Sequence, residues 1–372
     1  MPLPTRTTTA DRTDTAGAAG ASAFARFAFA VYALLVVYAS LYPLEGWRDH
    51  GLSPFAYLTS AWPRYVTGFD VAANVAGYLP FGLLCVLALH PRVRGLGAFA
   101  AALGSAALLS VGMEALQSYL PARVANNLDV LCNVAGGACG AALGVLAVPS
   151  VLGGPLERLR ARAFLSGAAI DAGLTLLGLW LLTQLNPATL LFAAGDLRDL
   201  LASGGAGRAR APEFFIAIEA VTATANLMSV GLLLSVLVRP GRPVRAMFAG
   251  LVIGAVAVKV LAFAIIMRAE HVFVWLTSGA QIGLAAGVLA TLVAIKLPRV
   301  ARLALAAVLI MAATVLVNLA PPNPYLAATL KLWQQGHFLN FNGLTRLVSA
   351  LWAFIALAYL MFLAARRREL GS

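Results

Sequence analysis

Apolar residues are grouped along this chain into ten blocks that are separated by short polar segments. Each block is close to the roughly 20 residues that an α-helix needs to cross a bilayer. The blocks cover residues 24–42, 71–89, 97–119, 128–148, 164–185, 214–238, 246–267, 276–295, 301–320 and 347–365. The sequence therefore predicts an all-α fold, a polytopic transmembrane helical bundle of about ten spans.

The segments outside the blocks complete this picture. Residues 1–22 are rich in Thr, Ala, Asp and Arg, a composition that predicts a disordered tail. The first block is long and runs into Tyr42-Pro43, so we interpret it as a retained span and not as a cleaved signal. Residues 321–346, between the last two blocks, are predicted to form an outer loop anchored at the membrane surface by its aromatic residues.

Composition and charge support the membrane interpretation. The chain is 61% hydrophobic and 11% charged, whereas soluble domains are about half apolar and about a quarter charged. Of the 27 Lys and Arg residues, 17 lie on the side that holds both predicted termini, which makes that side cytoplasmic. The net charge of +12 is divided among separate short loops, so topology explains it and no nucleic-acid partner is expected.

An internal repeat is visible in the second half of the chain. Residues 219–240 resemble residues 70–91 at an offset of 149, and two rows of glycines recur at every fourth position. The rows are Gly136, Gly140 and Gly144, then Gly279, Gly283 and Gly287. We interpret the pattern as a duplicated four-helix unit, residues 23–150 and 164–296, followed by a transmembrane hairpin at 300–366. The alternative is chance similarity between apolar sequences.

Polar side chains recur in three predicted spans at about the same depth from one edge of the bilayer. They are Asp70 and Asn74, then Glu114 and Gln117, then Asp129 and Asn133. Residues three or four positions apart share a helix face, and charged groups inside a membrane usually mark a functional site. Arg123, in the short loop between the last two pairs, is positioned to meet a carboxylate or phosphate at the mouth of this site.

Structural roles compete with this interpretation for several of these residues. Asp70 and Asp129 stand where a helix begins, and Asp is a favoured N-terminal cap. Asn74 and Asn133 have the chemistry to bond neighbouring helices. Glu114 lies within its span, where it is not placed to cap a helix and needs an internal partner or a proton.

These motifs resemble the VanZ-like family of bacterial integral membrane proteins over about residues 24–150. The residues that carry the resemblance are Asp70, Asn74, Pro80, Phe81, Gly82, Glu114, Gln117, Pro121, Arg123, Asp129, Asn133 and Gly136. The resemblance implies a protein of the bacterial inner (plasma) membrane associated with the cell envelope. The founding member of the family is linked to low-level teicoplanin resistance. No biochemical activity is established for the family, so the resemblance implies no reaction.

The second copy has lost most of the polar motif. Asn74 aligns with Ala223, whereas an acid remains at Glu219, and Lys259 lies within the following span. We predict that Glu219 and Lys259 form a structural ion pair, because a lone charge at that depth is costly. The alternatives for Lys259 are a contact with Glu270 or extension of its side chain to the membrane surface.

The leading functional hypothesis is binding of a polar headgroup, or of a cell-wall or glycopeptide-related ligand, in an outward-facing acidic pocket. The alternatives are a membrane enzyme that acts on a lipid-linked substrate, with Glu114 as general acid or base, and a proton-coupled transporter. The expected partners are membrane lipids or a lipid-linked envelope precursor. No metal or other cofactor is predicted, because the four histidines lack metal-ligand spacing.

Overall fold

The computed structural model describes residues 9–366 except 52, 153, 199–210, 267–271, 322 and 325–338, and only the backbone at 9–22, 266 and 339–342. The described residues form eleven α-helices and no strand. The helices are α1 Thr9–Leu41, α2 Gly68–Leu89, α3 Gly95–Gln117, α4 Asn127–Val151, α5 Pro155–Ala163, α6 Ala168–Thr183, α7 Pro212–Leu237, α8 Val244–Ile266, α9 Ser278–Ala294, α10 Arg299–Leu319 and α11 Leu339–Ala365.

The helices confirm a polytopic helical bundle. Eight of those described are long and apolar enough to cross a membrane, namely α1 to α4, α7, α8, α10 and α11. The other two predicted spans correspond to the shorter apolar helices α6 and α9, of 16 and 17 residues. A multi-pass membrane protein follows from these lengths and compositions.

Two features differ from the sequence-based expectation, and a third prediction falls mostly outside the described residues. Helix α1 begins at Thr9, so the described part of the predicted disordered tail is helical; alanine-rich segments continue readily from a helix that has already formed. Helix α5 was not predicted, although Pro155 at its start and Arg160 and Arg162 in its last turn are typical helix-terminus signals. Most of the predicted outer loop at 321–346 lies outside the described residues.

The chain divides into two compact units, Met1–Ala172 and Gly173–Ser372. In unit 1, α4 packs along α2 and also contacts α3, while α1 packs against α2. A Cβ atom at Gly136 or Gly140 would collide with the backbone carbonyl of Val75 or Leu79 in α2. The absence of a side chain on this face of α4 thus allows the two helix backbones to touch.

Unit 2 repeats only the central pair of this arrangement. Its α7 packs along α9, where Gly279 and Gly283 approach the backbone of Ile216 and Ala220. If the repeat were in register, the sequence offset of 149 would place the contacts with the α9 glycines two helical turns further along α7 than they are. The repeat is therefore not maintained in register. Sequence similarity in apolar helices does not fix which residues make the contact.

The outer helices of unit 2 also differ from those of unit 1. Helix α10 packs extensively on α7, whereas α8 makes only a small contact with α7. The predicted hairpin at 300–366 is therefore not a separate addition, because α10 is part of the core of unit 2. The second four-helix unit at 164–296 stays a prediction; the structure shows a closely packed helix pair, α7 and α9, whose neighbours differ from those of α2 and α4.

Candidate functional site

The polar side chains of unit 1 lie at the end where α2 and α4 begin and α3 ends. Asp70 belongs to the first turn of α2 and is exposed. Its Oδ2 accepts a hydrogen bond of 2.6 Å from the Thr67 hydroxyl, and its backbone N–H donates to Thr67 Oγ1 at 3.1 Å. The backbone N–H of Thr67 also donates to Asp70 Oδ2 at 3.3 Å, and this bond together with that of the Asp70 N–H forms a capping box. Thr67 is therefore the N-terminal cap of α2, and Asp70 supports the helix start without being the cap that the sequence suggested.

Glu114 is buried, with 3% of its surface exposed, and holds the turn between α3 and α4. Its Oε2 accepts a hydrogen bond of 2.7 Å from the backbone N–H of Asn126. Asn126 is the N-terminal cap of α4, and its side-chain oxygen accepts the N–H of Leu128. A carboxylate from α3 thus fixes the residue at which α4 begins.

Asn74 and Asp129 join α2 to α4. The side-chain amide of Asn74 donates a hydrogen bond of 2.8 Å to Asp129 Oδ1. Asp129 is half-buried, and its carboxylate is near enough to that of Asp70 for the two to repel each other. The acidic groups of α2 and α4 are therefore gathered at one end of the unit, as the shared depth in the sequence predicted.

Asn133 lies deeper in α4 and is buried. Its amide group donates a hydrogen bond of 2.9 Å to Ser110 Oγ, while its Oδ1 has no hydrogen-bond partner among the described residues. The Tyr78 hydroxyl is also buried, and it lies close to Ser110. Sequence reasoning missed Ser110 and Tyr78, although each lies four residues, about one helical turn, from a recognised polar residue on the same helix.

Gln117 and Arg123 are directed toward the end of α1. Gln117 Nε2 donates a hydrogen bond of 2.7 Å to the Ser40 carbonyl. Arg123 Nη2 donates to the carbonyls of Tyr42 and Ala39 at 2.8 and 3.1 Å. These are the carbonyls that a helix leaves unsatisfied at its C-terminal end. Burial lowers the pKa of the Arg123 guanidinium from its ordinary value.

The predicted contact of Arg123 with a carboxylate is not formed. No ion pair joins its guanidinium to Glu114 or Asp129 in the described structure, since its Nε and Nη2 donate to α1. The short loop after α3 carries Arg123 across to α1, where free carbonyls are available. Sequence spacing identified the loop but not the direction in which the side chain points.

A cavity of about 160 Å³ lies beside the α3–α4 turn. Its wall includes Ser118, Tyr119 and Ala125 near the turn, together with His50 and Tyr57 from the loop after α1. The Tyr57 hydroxyl donates a hydrogen bond of 3.0 Å to the Val111 carbonyl. Burial, and then the nearby Glu114 charge, raise the pKa of Tyr57 above its ordinary value. This loop therefore closes over the polar end of the unit.

Glu219 and Lys259 of unit 2 lie close enough for their charges to attract, but the structure gives them different hydrogen-bond partners, so their predicted ion pair stays a prediction. Lys259 is 1% exposed, and its ammonium donates to the carbonyls of Asn186 and Thr189 at 2.7 and 3.2 Å. Glu219 instead accepts a hydrogen bond of 2.6 Å from the Thr277 hydroxyl. The non-helical segment after α6 has carbonyls without helical partners, and a lysine with three donors satisfies them. The alternative partner Glu270 lies outside the described residues.

Comparison with known families agrees with the motifs of unit 1. Residues 29–148 match the VanZ/LLP1 family. The match confirms the resemblance to VanZ-like proteins and covers the C-terminal part of α1 together with α2, α3 and nearly all of α4. All seven polar residues predicted for the site lie within it. Neither the curated proteins nor the solved structures contain a match to the chain.

The side-chain atoms of the VanZ-like segment that remain available to a ligand are hydrogen-bond acceptors. Glu114 and Asp129 each use one carboxylate oxygen within the described structure, and the other oxygen accepts no described hydrogen bond. Among the side chains that the structure describes, no group of three His, Cys, Asp or Glu residues is arranged to hold a metal ion. The arrangement suits a ligand that donates hydrogen bonds.

Proposed function

We propose that the VanZ-like segment binds the polar headgroup of a lipid-linked cell-wall precursor, or of a glycopeptide-related ligand, at its outer end. The observation that carries the proposal is that Glu114 Oε1, Asp129 Oδ2 and Asn133 Oδ1, from the same end of unit 1, accept no hydrogen bond from the described residues. Of the three atoms, Asn133 Oδ1 is fully buried. A buried acceptor without a donor costs about 1–3 kcal/mol. A ligand with hydroxyl, amide or ammonium donors would recover part of that cost.

The seven predicted ligand-binding residues divide into two groups under this proposal. Glu114, Asp129 and Asn133 contact the ligand, because each retains an acceptor atom. The others support the site through bonds within the protein: Asp70 completes the capping box of Thr67 at the start of α2, Asn74 orients Asp129, and Gln117 and Arg123 fasten the α3–α4 turn to α1. Sugar hydroxyls and peptide amides, which abound in cell-wall precursors, supply the matching donors.

The membrane location determines how such a ligand arrives. We place the chain in the bacterial inner membrane with both termini in the cytoplasm, since the basic residues are concentrated on that side. The α3–α4 turn and the cavity of about 160 Å³ then face outward. A lipid-linked ligand would reach the acidic residues from the outer leaflet with its chain still in the bilayer.

Mass spectrometry of lipids that co-purify with the full-length protein tests this proposal. We expect a lipid-linked species with a hydroxyl- or amide-rich headgroup in the wild type, and its loss in Glu114→Gln and Asp129→Asn. Glu45→Gln is the matched control, because Glu45 is an exposed acid in the loop of the same unit. Retention of the same species by both site variants would contradict the proposal.

A further inference from the structure

Unit 2 contains a cavity of about 400 Å³. It lies where α7 and α9 begin and α8 ends, and its wall includes Phe215, Glu219, Phe263, Trp275 and Thr277. The volume is within the range of roughly 300–1,000 Å³ that is typical of small-molecule sites. All of the lining residues belong to unit 2, so this cavity is separate from the polar site of unit 1.

Two buried polar groups of the cavity wall have unused hydrogen-bonding atoms. Glu219 is 6% exposed; its Oε2 accepts the Thr277 hydroxyl, whereas its Oε1 accepts no hydrogen bond from the described residues. Trp275 is 8% exposed, and its indole Nε1–H has no acceptor there. A complementary ligand would therefore donate a hydrogen bond to Glu219 and accept one from Trp275.

The charge of that ligand follows from the surrounding side chains. A carboxylate close to aromatic rings attracts an ammonium group, and Phe215, Phe263 and Trp275 line the same cavity as Glu219. The Lys259 ammonium lies 5.6 Å from the Phe263 ring centroid, behind the cavity wall. Its positive charge disfavours a ligand with a net positive charge. A zwitterion satisfies both conditions, because its ammonium meets Glu219 while an anionic oxygen meets the Trp275 donor.

We propose that unit 2 holds a second ligand site, which binds an aminoalkyl phosphate zwitterion of the phosphoethanolamine type. Glu219 binds the primary ammonium, and Trp275 Nε1 donates to a phosphate oxygen. The ammonium and phosphate groups occur both in a phospholipid headgroup and in free phosphoethanolamine, whose phosphate monoester carries additional negative charge near pH 7. Both sources are therefore tested. The proposal is independent of the function proposed for unit 1, because it uses none of the same residues.

Native mass spectrometry of the full-length protein in detergent provides the first test. The probes are dioctanoyl phosphatidylethanolamine, dioctanoyl phosphatidylglycerol, which lacks the ammonium, and free phosphoethanolamine. We expect the ethanolamine lipid to bind at least about tenfold more tightly than the glycerol lipid, since a charge-assisted hydrogen bond is lost. Displacement of the lipid by phosphoethanolamine would identify the free zwitterion as a sufficient ligand, and failure to displace it would assign the site to the lipid. Equal binding of the two lipids would overturn the proposal.

Substitutions in the cavity wall provide the second test. Glu219→Gln should reduce the preference for the ethanolamine lipid over the glycerol lipid by at least about tenfold. Trp275→Phe keeps an aromatic ring and should weaken binding of the ethanolamine lipid. Glu213→Gln is the control, because Glu213 is an exposed acid in the first turn of the same helix. An unchanged preference in a folded Glu219→Gln protein would refute the site. If that variant does not fold, the lipid preference of the wild type still decides the question.

Discussion

Glu114 combines a structural bond with an unused acceptor. Its Oε2 holds the Asn126 N–H and so determines where α4 begins, while its Oε1 accepts no hydrogen bond from the described residues. A glutamine at this position keeps an oxygen that can accept from Asn126 but removes the charge. An alanine removes both. The two substitutions therefore separate the structural role from the role in binding.

We predict that Glu114→Ala lowers the free energy of unfolding by about 1–3 kcal/mol more than Glu114→Gln does, because only alanine leaves the buried Asn126 N–H without an acceptor. Both variants should lose the bound headgroup. Thermal unfolding in detergent, combined with lipid analysis of the same preparations, measures the two effects. Equal stability of the two variants would show that the hydrogen bond to Asn126 does not hold the turn.

At the residue scale, the sequence identified which residues lie at the site better than it identified their hydrogen-bond partners. The depth and spacing of Glu114, Asp129 and Asn133 were sufficient to place these residues at one end of the unit. The direction of Arg123 was not predictable, because it depends on the carbonyls that α1 exposes after Ala39. Ser110 was missed because a single serine in an apolar helix carries no signal until Asn133 is seen to face it.

At the element scale, the contact between α2 and α4 positions the acidic residues. Asn74 and Asp129 meet because the backbones of these helices approach closely along the glycine face of α4. A side chain on that face would push the helices apart and separate the pair. The close packing of α2 and α4 two helical turns below the site therefore also positions the side chains of the site.

We predict that Gly140→Ala destabilises the protein by about 1–3 kcal/mol and weakens headgroup binding, because its Cβ would collide with the Leu79 carbonyl. Gly104→Ala is the matched control: this glycine is exposed within α3, and a Cβ there meets no atom within 4 Å. The control should be neutral or stabilising by roughly 0.5–1 kcal/mol. Equal unfolding temperatures for the two variants would contradict close packing at Gly140.

The elements themselves were largely predictable from hydrophobicity. All ten apolar blocks coincide with helices, because burial in a membrane requires backbone groups to bond within each segment. The neighbours of α7 were not predictable, since contacts between apolar helices depend on small residues and not on hydrophobicity. The same holds for the segment after α6, where the buried Leu191 and Phe192 are not helical and Lys259 satisfies backbone carbonyls nearby.

At the scale of the whole molecule, the family match and the internal repeat describe different parts of the chain. The match ends at residue 148, so α5 to α11 lie outside it. Unit 2 repeats the helix pair at the centre of unit 1 but replaces its amide and carboxylate cluster with Glu219 at a larger cavity. We therefore expect the two units to bind different ligands.

The function proposed for unit 1 requires its polar end to face outward. Labelling of a single cysteine at Ala122, an exposed position between α3 and α4, tests this claim directly in the full-length protein. Cys85, Cys132 and Cys139 are first replaced by alanine, and a cysteine at Arg94, on the opposite predicted side, serves as the control. A membrane-impermeant thiol reagent applied to intact spheroplasts should label Ala122→Cys and not Arg94→Cys. Labelling of Arg94→Cys alone would place the acidic residues at the cytoplasmic surface and contradict the account.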